Sequence, residues 1–337
     1  MATDEKRKMN PQLKKKLSMI GRMVLSGTIL VYLLSKIDLT VARESLSVIR
    51  FEYLALALVP SLVEVLLKSF KWQMLLWIKK IKVPFFEIFK IYYISSFIGT
   101  FLPSSLGIDV LRSYSMSRFI RNTHDSVSTV FVDRLLGVLA LIFVVLTGVL
   151  LVRFSFVDNI YRFVITIAVV LFLLFGGIIV SRHLILLLEK FLIWLKVDAG
   201  RYIDLLHRIY DSIIEFKNNK FALFRVFLVS IVFQFSRIAI TWCVGLSFGI
   251  NLDVKYWIII VPLVTLAAML PLAVGGIGIR EGAFVFFFTK LGVPFETAFL
   301  LSIIIFLFAV FNTIPGLIFY LIYGLSSVRT LNTELKQ

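Results

Sequence analysis

The sequence contains few of the residues that build disulfides, metal sites and most catalytic centres. Its 337 residues include one cysteine, Cys243, and three histidines. A lone cysteine excludes an intrachain disulfide, and the histidines are too scattered for a metal-ligand motif. No P-loop and no Gly-x-Ser-x-Gly motif occurs, and a dinucleotide fingerprint that begins at Gly276 and Gly278 is interrupted by Glu281. We therefore predict no cofactor and no metal site, and an enzyme is the weaker class of function.

Acidic side chains are also scarce. The chain has 20 of them against 36 lysines and arginines, so its formal net charge is +16. Basic residues gather beside apolar stretches, with six between Lys6 and Lys16 and three more between Lys79 and Lys82. Such clusters follow the positive-inside rule and attract anionic headgroups. We predict a multi-pass protein of the cytoplasmic cell membrane with a cytoplasmic N-terminus, whose partners are anionic or phosphate-bearing membrane lipids and not nucleic acid.

Long apolar stretches are what the sequence has in excess, and 59% of its residues are hydrophobic. A transmembrane helix needs roughly 20 mostly apolar residues. Stretches near that length occur at 17–35, 53–77, 85–102, 126–152, 160–181, 221–248, 256–273 and 295–325. The predicted fold is an all-α integral membrane protein, a polytopic helical bundle that forms a single membrane domain over 1–337.

One pattern occurs twice in the chain. Leu102–Arg112 and Leu270–Arg280 both read Leu-Pro, three residues, Gly, four residues, Arg, and they lie 168 residues apart. The same shift carries the apolar stretches on either side of the first copy onto those on either side of the second. Paired Pro/Gly interruptions in two halves of a membrane protein indicate a transporter-like binding site. We predict a first repeat half at 53–152 and a second at 221–320.

Charge parity predicts two re-entrant hairpins. If every apolar stretch crossed the membrane, the basic segment 182–220 would lie outside, against its charge. The number of crossings agrees with the charge of 182–220 if 85–122 enters the membrane and returns to the same side, with its turn near Pro103 and Gly107. The second copy then enters from the opposite face, which makes the halves an inverted repeat. The segment 183–218 is predicted to be cytoplasmic and amphipathic, or else a solvated connector packed on the bundle.

Charged residues inside the apolar stretches are the candidate functional residues. A charge at the centre of a span costs roughly 2.5–3.5 kcal/mol on insertion scales, and such residues usually face a partner or a polar cavity. The intramembrane charges are Glu64, Lys68, Lys71 and Arg237. The predicted substrate-binding residues are Asp109, Arg112, Asp133, Arg134, Arg280 and Glu281, together with the motif glycines Gly107, Gly275 and Gly276.

Arg112 and Arg280 are the strongest candidates for binding an anion. Each ends a copy of the repeated motif, and a guanidinium group binds phosphate or carboxylate through two hydrogen bonds. Helix N-termini near the motif glycines would add N–H donors. A structural alternative stays open, in which the charges pair with one another, for example Glu64 with Lys68 or Arg280 with an aspartate of the first half.

Three motifs resemble a known family. Phe101–Arg112, Val132–Gly137 and Pro271–Glu281 are similar, in that order, to motifs of the flippase-like family that includes the transmembrane region of lysylphosphatidylglycerol synthases. The resemblance covers most of the chain. It implies a lipid-translocating membrane protein whose substrates are aminoacylated phospholipids or polyprenyl-linked saccharide carriers.

Two departures from the family pattern matter. The family commonly has Gly-Gly before the aspartate of its first motif, whereas this chain has Gly107-Ile108, which predicts a stiffer turn. The sequence also stops at Gln337 without the soluble aminoacyl-transferase domain of full-length synthases, so the resemblance does not imply synthesis of lysyl-lipid by this chain alone.

The predicted function is translocation of a charged phospholipid or polyprenyl-linked saccharide lipid between membrane leaflets. One alternative is a non-transporting membrane subunit of a cell-envelope glycolipid synthesis system, with a glycosyltransferase or lipid-modifying enzyme as its partner. Another is a membrane enzyme of lipid-sugar transfer. A continuous polar cavity favours transport over the scaffold, and a compact carboxylate or metal cluster at one interface favours the enzyme.

Overall fold

The computed structural model of the chain describes residues 11–102, 107–151, 214–216, 218–269, 273 and 275–323, which form helices and turns with no strand among them. The predicted span at 160–181 and nearly all of the predicted segment 183–218 lie outside these residues. In chain order the helices are α1 (Pro11–Ser35), α2 (Leu39–Ser47), α3 (Phe51–Ile78), α4 (Phe85–Thr100), α5 (Gly107–Ile120), α6 (Thr123–Leu151), α7 (Lys220–Ser247), α8 (Val254–Met269), α9 (Ile279–Thr289), α10 (Phe295–Phe311) and α11 (Ile314–Tyr323).

Four helical segments of the described chain are long and apolar enough to cross a membrane, namely α3, α6, α7 and the α10–α11 segment. A fifth is formed if α1 and α2, which meet at an 86° bend, make one broken span. The predicted all-α, multi-pass membrane fold is confirmed. The bend was not predicted, although Asp38 marks it, because its carboxylate accepts the Thr40 N–H at 2.8 Å and caps α2.

The two helix pairs at the repeated motif are shorter than the spans. α4 and α8 have 16 residues each, and α5 and α9 have 14 and 11. At 1.5 Å per residue, 16 residues extend about 24 Å, less than the roughly 30 Å of a hydrocarbon core. Each pair is broken where the motif predicts it, between Thr100 and Gly107 and between Met269 and Ile279.

Each pair returns to the end at which it began. Lys79 follows α3 and precedes the first pair, and its Nζ lies 3.2 Å from Oδ1 of Asp125, which follows that pair. Lys79 also contacts Glu215 at 2.6 Å, so the described end of the segment before α7 lies at the same place. In the second pair, Trp257 near the start of α8 stacks edge-on against Phe288 near the end of α9, at 4.9 Å between ring centroids.

The first spans of the two halves, α3 and α7, pack against each other in opposite directions. Arg50, just before α3, donates its N–H to the carbonyl of Ser247 at the end of α7 at 2.9 Å. Near the other end, Leu75 of α3 shares a core cluster with Val226 of α7. Equivalent spans therefore run antiparallel, as in an inverted repeat, and the two helix pairs that follow them enter the bundle from opposite ends. Which end faces the cytoplasm stays a prediction.

In each half, the first helix of the helix pair packs on the last span of the other half. α4 of the first half packs on α11 of the second, and α8 of the second packs on α6 of the first. A glycine lies at each crossing, Gly316 on α11 and Gly148 on α6, 168 residues apart. A Cβ on Gly316 would lie 2.1 Å from the Tyr93 carbonyl oxygen, and one on Gly148 would lie 2.7 Å from the Ile259 side chain. Small residues let membrane helices approach this closely.

Candidate functional site

A cavity of about 430 Å³ lies between the two halves of the bundle. The tips of both helix pairs wall it, with Thr100 and Ile108 from the first and Ala268 and Gly275 from the second. The spans α3, α7 and α10 close the remaining sides. Its volume is within the usual range for ligand pockets, roughly 300–1,000 Å³. The cavity therefore occupies the place that the repeated motif predicts for a binding site.

Of the residues that the structure describes, three cations and one carboxylate line the cavity, which gives this lining a formal charge of +2. Glu64 lies between two of the cations, 2.6 Å from Lys68 Nζ and 3.6 Å from Arg237 Nη2. Lys68 follows Glu64 by one helical turn, which is the spacing that predicted their pairing. The Phe233 ring on α7 lies beneath both cations, at 5.3 Å from Lys68 and 4.8 Å from Arg237.

Arg280 is the third cation of the cavity. Its Nε donates to Oε1 of Glu281 at 3.0 Å, and its guanidinium lies 4.7 Å from the centre of the Phe306 ring. Glu281 is buried and does not line the cavity, and its other oxygen accepts the Gly278 N–H at 2.6 Å. Glu281 therefore caps the start of α9 and pairs with Arg280 from outside the cavity.

The glycines of the second motif shape this wall. Gly275, Gly276 and Gly278 have φ of 60°, 78° and 87°, a region that favours glycine. A Cβ on Gly276 would lie 2.8 Å from the Ala268 carbonyl oxygen, so the turn packs tightly against the end of α8. In the first pair, Gly107 is the first residue of α5, and Gly275 alone of the predicted glycines borders the cavity among the described residues.

A second charge network is buried beside the cavity. Asp133 of α6 lies 2.9 Å from Lys71 of α3 and 2.8 Å from Arg112 of α5. Arg112 also contacts Asp109 at 2.9 Å, and Asp109 in turn pairs with Arg134. These ion pairs tie three helices of the first half together, and they are the pairing alternative that the sequence left open.

Arg112 is therefore enclosed. Its side chain is 2% exposed, and the rings of Trp72 and Tyr92 lie 5.2 and 5.3 Å from its guanidinium carbon. Tyr92 lines the cavity and also lies 5.9 Å from Lys68, so it separates the buried network from the cavity. Of the predicted substrate-binding residues within the described chain, Arg280 and Gly275 border the cavity, and Arg280 pairs with Glu281 rather than with an aspartate of the first half.

The sequence missed the uncharged polar side chains of the cavity. Ser61 of α3 donates to Oδ1 of Asn312 at 3.1 Å and joins the first half to the second. Thr241 and Thr265 each donate to a carbonyl of their own helix, at 3.0 and 2.8 Å. Polar residues inside apolar spans were the signal in the sequence that could have identified these side chains. However, a span that is hydrophobic on all sides does not show which of its faces points into the bundle. Across the residues that the structure describes, no group of three or more His, Cys, Asp and Glu could hold a metal ion.

The comparison with known families agrees with this architecture. Residues 19–316 match the family described as the lysylphosphatidylglycerol synthase TM region, and the chain belongs to that family. It is thus a multi-pass membrane protein of a family that handles lipids or glycolipids. No curated protein matches the sequence closely.

Proposed function

We propose that the protein translocates a phosphate-bearing lipid between the leaflets of the cell membrane. The observation that carries this proposal is the cavity between the two oppositely inserted helix pairs, lined by three cations and one carboxylate. In this proposal the headgroup occupies the cavity while the acyl or prenyl chains stay in lipid. Family membership supports it, because the family handles lipids.

The cations supply the attraction for a phosphate. Charges inside a protein act over a lower effective dielectric than charges at its surface. Arg237 and Arg280 can each present two N–H donors to phosphate oxygens, and Lys68 adds a point charge. Gly275 lines the cavity together with Arg280 and completes the proposed contact surface.

The buried network has a different role in this proposal. Asp109, Arg112, Asp133 and Arg134 fix the first helix pair against α6, and we propose that they position the cavity wall rather than bind the headgroup directly. Their mutual pairing supports this division, because each of the two carboxylates already contacts two cations.

The scaffold and enzyme alternatives receive less support. A subunit that only recruits a glycosyltransferase or lipid-modifying enzyme needs no charged cavity at the centre of its bundle. Lipid-sugar transfer would use a carboxylate able to act as acid or base, whereas Glu64, the carboxylate of the cavity, is held between Lys68 and Arg237. The proposal also places the protein in the cell membrane, with its N-terminus on the cytoplasmic side.

Arg237→Gln is the variant that tests this function most cleanly. Glu64 keeps Lys68 at 2.6 Å when Arg237 is removed, so no buried carboxylate is left without a cation. The matched control is Arg225→Gln, on the same helix, because Arg225 is exposed and stacks on Phe221 at 4.3 Å.

The measurement uses proteoliposomes with acyl-labelled phosphatidylglycerol in both leaflets and a membrane-impermeant quencher outside. Wild type and Arg225→Gln should expose inner-leaflet lipid to the quencher, and Arg237→Gln should do so at least tenfold more slowly with an unchanged unfolding temperature. Wild-type vesicles that quench no faster than protein-free vesicles would refute the proposal.

A further inference from the structure

The cations that line the cavity are more exposed than the carboxylates that pair with them. The side chains of Lys68, Arg237 and Arg280 are 22%, 31% and 19% exposed. Those of Glu64 and Glu281 are 14% and 1% exposed, and both are already paired. More cationic than carboxylate surface is therefore open to a headgroup in the cavity.

The aromatic faces near these groups are covered as well. Phe233 lies under Lys68 and Arg237, and Phe306 lies under Arg280. Tyr92 lies between Lys68 and Arg112. A carboxylate or an open aromatic face is what binds a substrate ammonium group. The cavity carboxylate and the aromatic rings nearest the cations are thus engaged by the protein's own cations, while Tyr93, Phe284 and Phe308 line the described wall without a cation contact.

Three threonine hydroxyls of the cavity are oriented as acceptors. Thr100, Thr241 and Thr265 each donate to a backbone carbonyl four residues earlier, at 2.8, 3.0 and 2.8 Å. A hydroxyl that has used its proton in this way offers its lone pairs to a ligand. Glycerol and sugar hydroxyls are donors that fit such acceptors.

We propose that the cavity selects lipids whose headgroup is an anionic phosphate bearing hydroxyl groups, and that it rejects aminoacylated headgroups. This inference rests on the proposed function. Lysyl esterification of phosphatidylglycerol adds two ammonium groups and changes the headgroup charge from −1 to about +1, which reverses the sign of its interaction with a cavity of charge +2. Phosphatidylglycerol and polyprenyl-phosphate sugars both satisfy the proposed chemistry.

The experiment compares phosphatidylglycerol, lysyl-phosphatidylglycerol and phosphatidylethanolamine with identical labelled acyl chains in the same proteoliposome assay. Wild type should move phosphatidylglycerol at least tenfold faster than the lysylated lipid, with phosphatidylethanolamine between them. Arg237→Glu makes the cavity formally neutral and should shrink that preference at least fivefold. Arg225→Glu, the matched control on the same helix, should leave it unchanged.

Lipid binding is measured in parallel, so that a failure of the selectivity proposal can be distinguished from a failure of the translocation proposal. Purified protein is equilibrated with an equimolar mixture of the three lipids, with glycerol phosphate added as a free-phosphate competitor, and retained lipid is counted by native mass spectrometry. Preferential retention of phosphatidylglycerol supports the selectivity even if no lipid crosses the membrane, an outcome that would refute only translocation. Equal or preferential transport or retention of the lysylated lipid overturns the selectivity and leaves translocation intact. Displacement by glycerol phosphate at millimolar concentration identifies the headgroup, rather than the chains, as the recognised part.

Discussion

Arg112 and Arg280 occupy the same position of the repeated motif, 168 residues apart, yet only Arg280 borders the cavity. Arg112 is enclosed by Asp109 and Asp133, whereas Arg280 is held by the adjacent Glu281. One copy of the motif thus places its arginine in a buried ion-pair network, and the other places its arginine on the cavity wall. The difference comes from their neighbours and not from the motif.

Removing Asp133 should destabilise the whole bundle. Asp133→Asn leaves the buried Lys71 without a carboxylate and Arg112 with Asp109 alone, and breaking a buried ion pair costs about 3–5 kcal/mol. We expect a fall of the unfolding temperature in detergent, measured by intrinsic fluorescence. The double variant Asp133→Asn/Lys71→Met removes the cation left without a carboxylate and should recover part of that loss. A stable Asp133→Asn protein would show that the network does not hold the helices together.

The two crossing glycines should be sensitive to added volume to different degrees. Gly316→Ala places a Cβ 2.1 Å from a backbone oxygen of α4, which cannot rotate away, whereas Gly148→Ala meets the movable side chain of Ile259. Overpacking costs about 1–3 kcal/mol, so the unfolding temperature should fall for both and further for Gly316→Ala. Gly27→Ala on α1 is the control, since nothing lies within 4 Å of its Cβ position. Similar values for all three variants would contradict the close packing of α4 on α11.

Lipid movement should not require a proton gradient. Glu64, the carboxylate of the cavity, has cations at 2.6 and 3.6 Å that stabilise its charged form. We therefore expect translocation in proteoliposomes to persist after addition of a protonophore, and Glu64→Gln to retain it. Transport that stops in both experiments would identify Glu64 as a proton carrier instead.

Opposite insertion of the helix pairs predicts opposite labelling of their ends. Thr123 follows the first pair, Lys290 follows the second, and both are exposed. In a Cys243→Ser background, a cysteine at Thr123 should react with an impermeant maleimide from the cytoplasmic side, and one at Lys290 from the outside. Labelling of both positions from one side would exclude the inverted arrangement. Arg225→Cys on α7 reports accessibility independently of the helix pairs.

The sequence predicted the features that depend on local pattern. The break between α4 and α5 follows from Pro103 and Gly107, and the pairing of Glu64 with Lys68 follows from helical spacing. It did not predict that Arg112 is enclosed, because Asp133 and Tyr92 reach it from other helices. Contacts of that kind depend on how the helices pack, and a span that is apolar on every side carries no moment that reports its packing.

Two inverted halves with equivalent side chains would give the bundle two conformations of equal energy, one open to each face of the membrane. Here the charges that surround Arg112 have no counterpart in the second half. Asp109, Asp133 and Lys71 correspond by the 168-residue shift to Ile277, Leu301 and Ala239. The second half has the Arg280–Glu281 pair instead, so the described ion pairs of the two halves are not equivalent. If the protein alternates between two such conformations, we expect the ion pairs around Arg112 to make the two unequal in energy, so that transport has a preferred direction of rest.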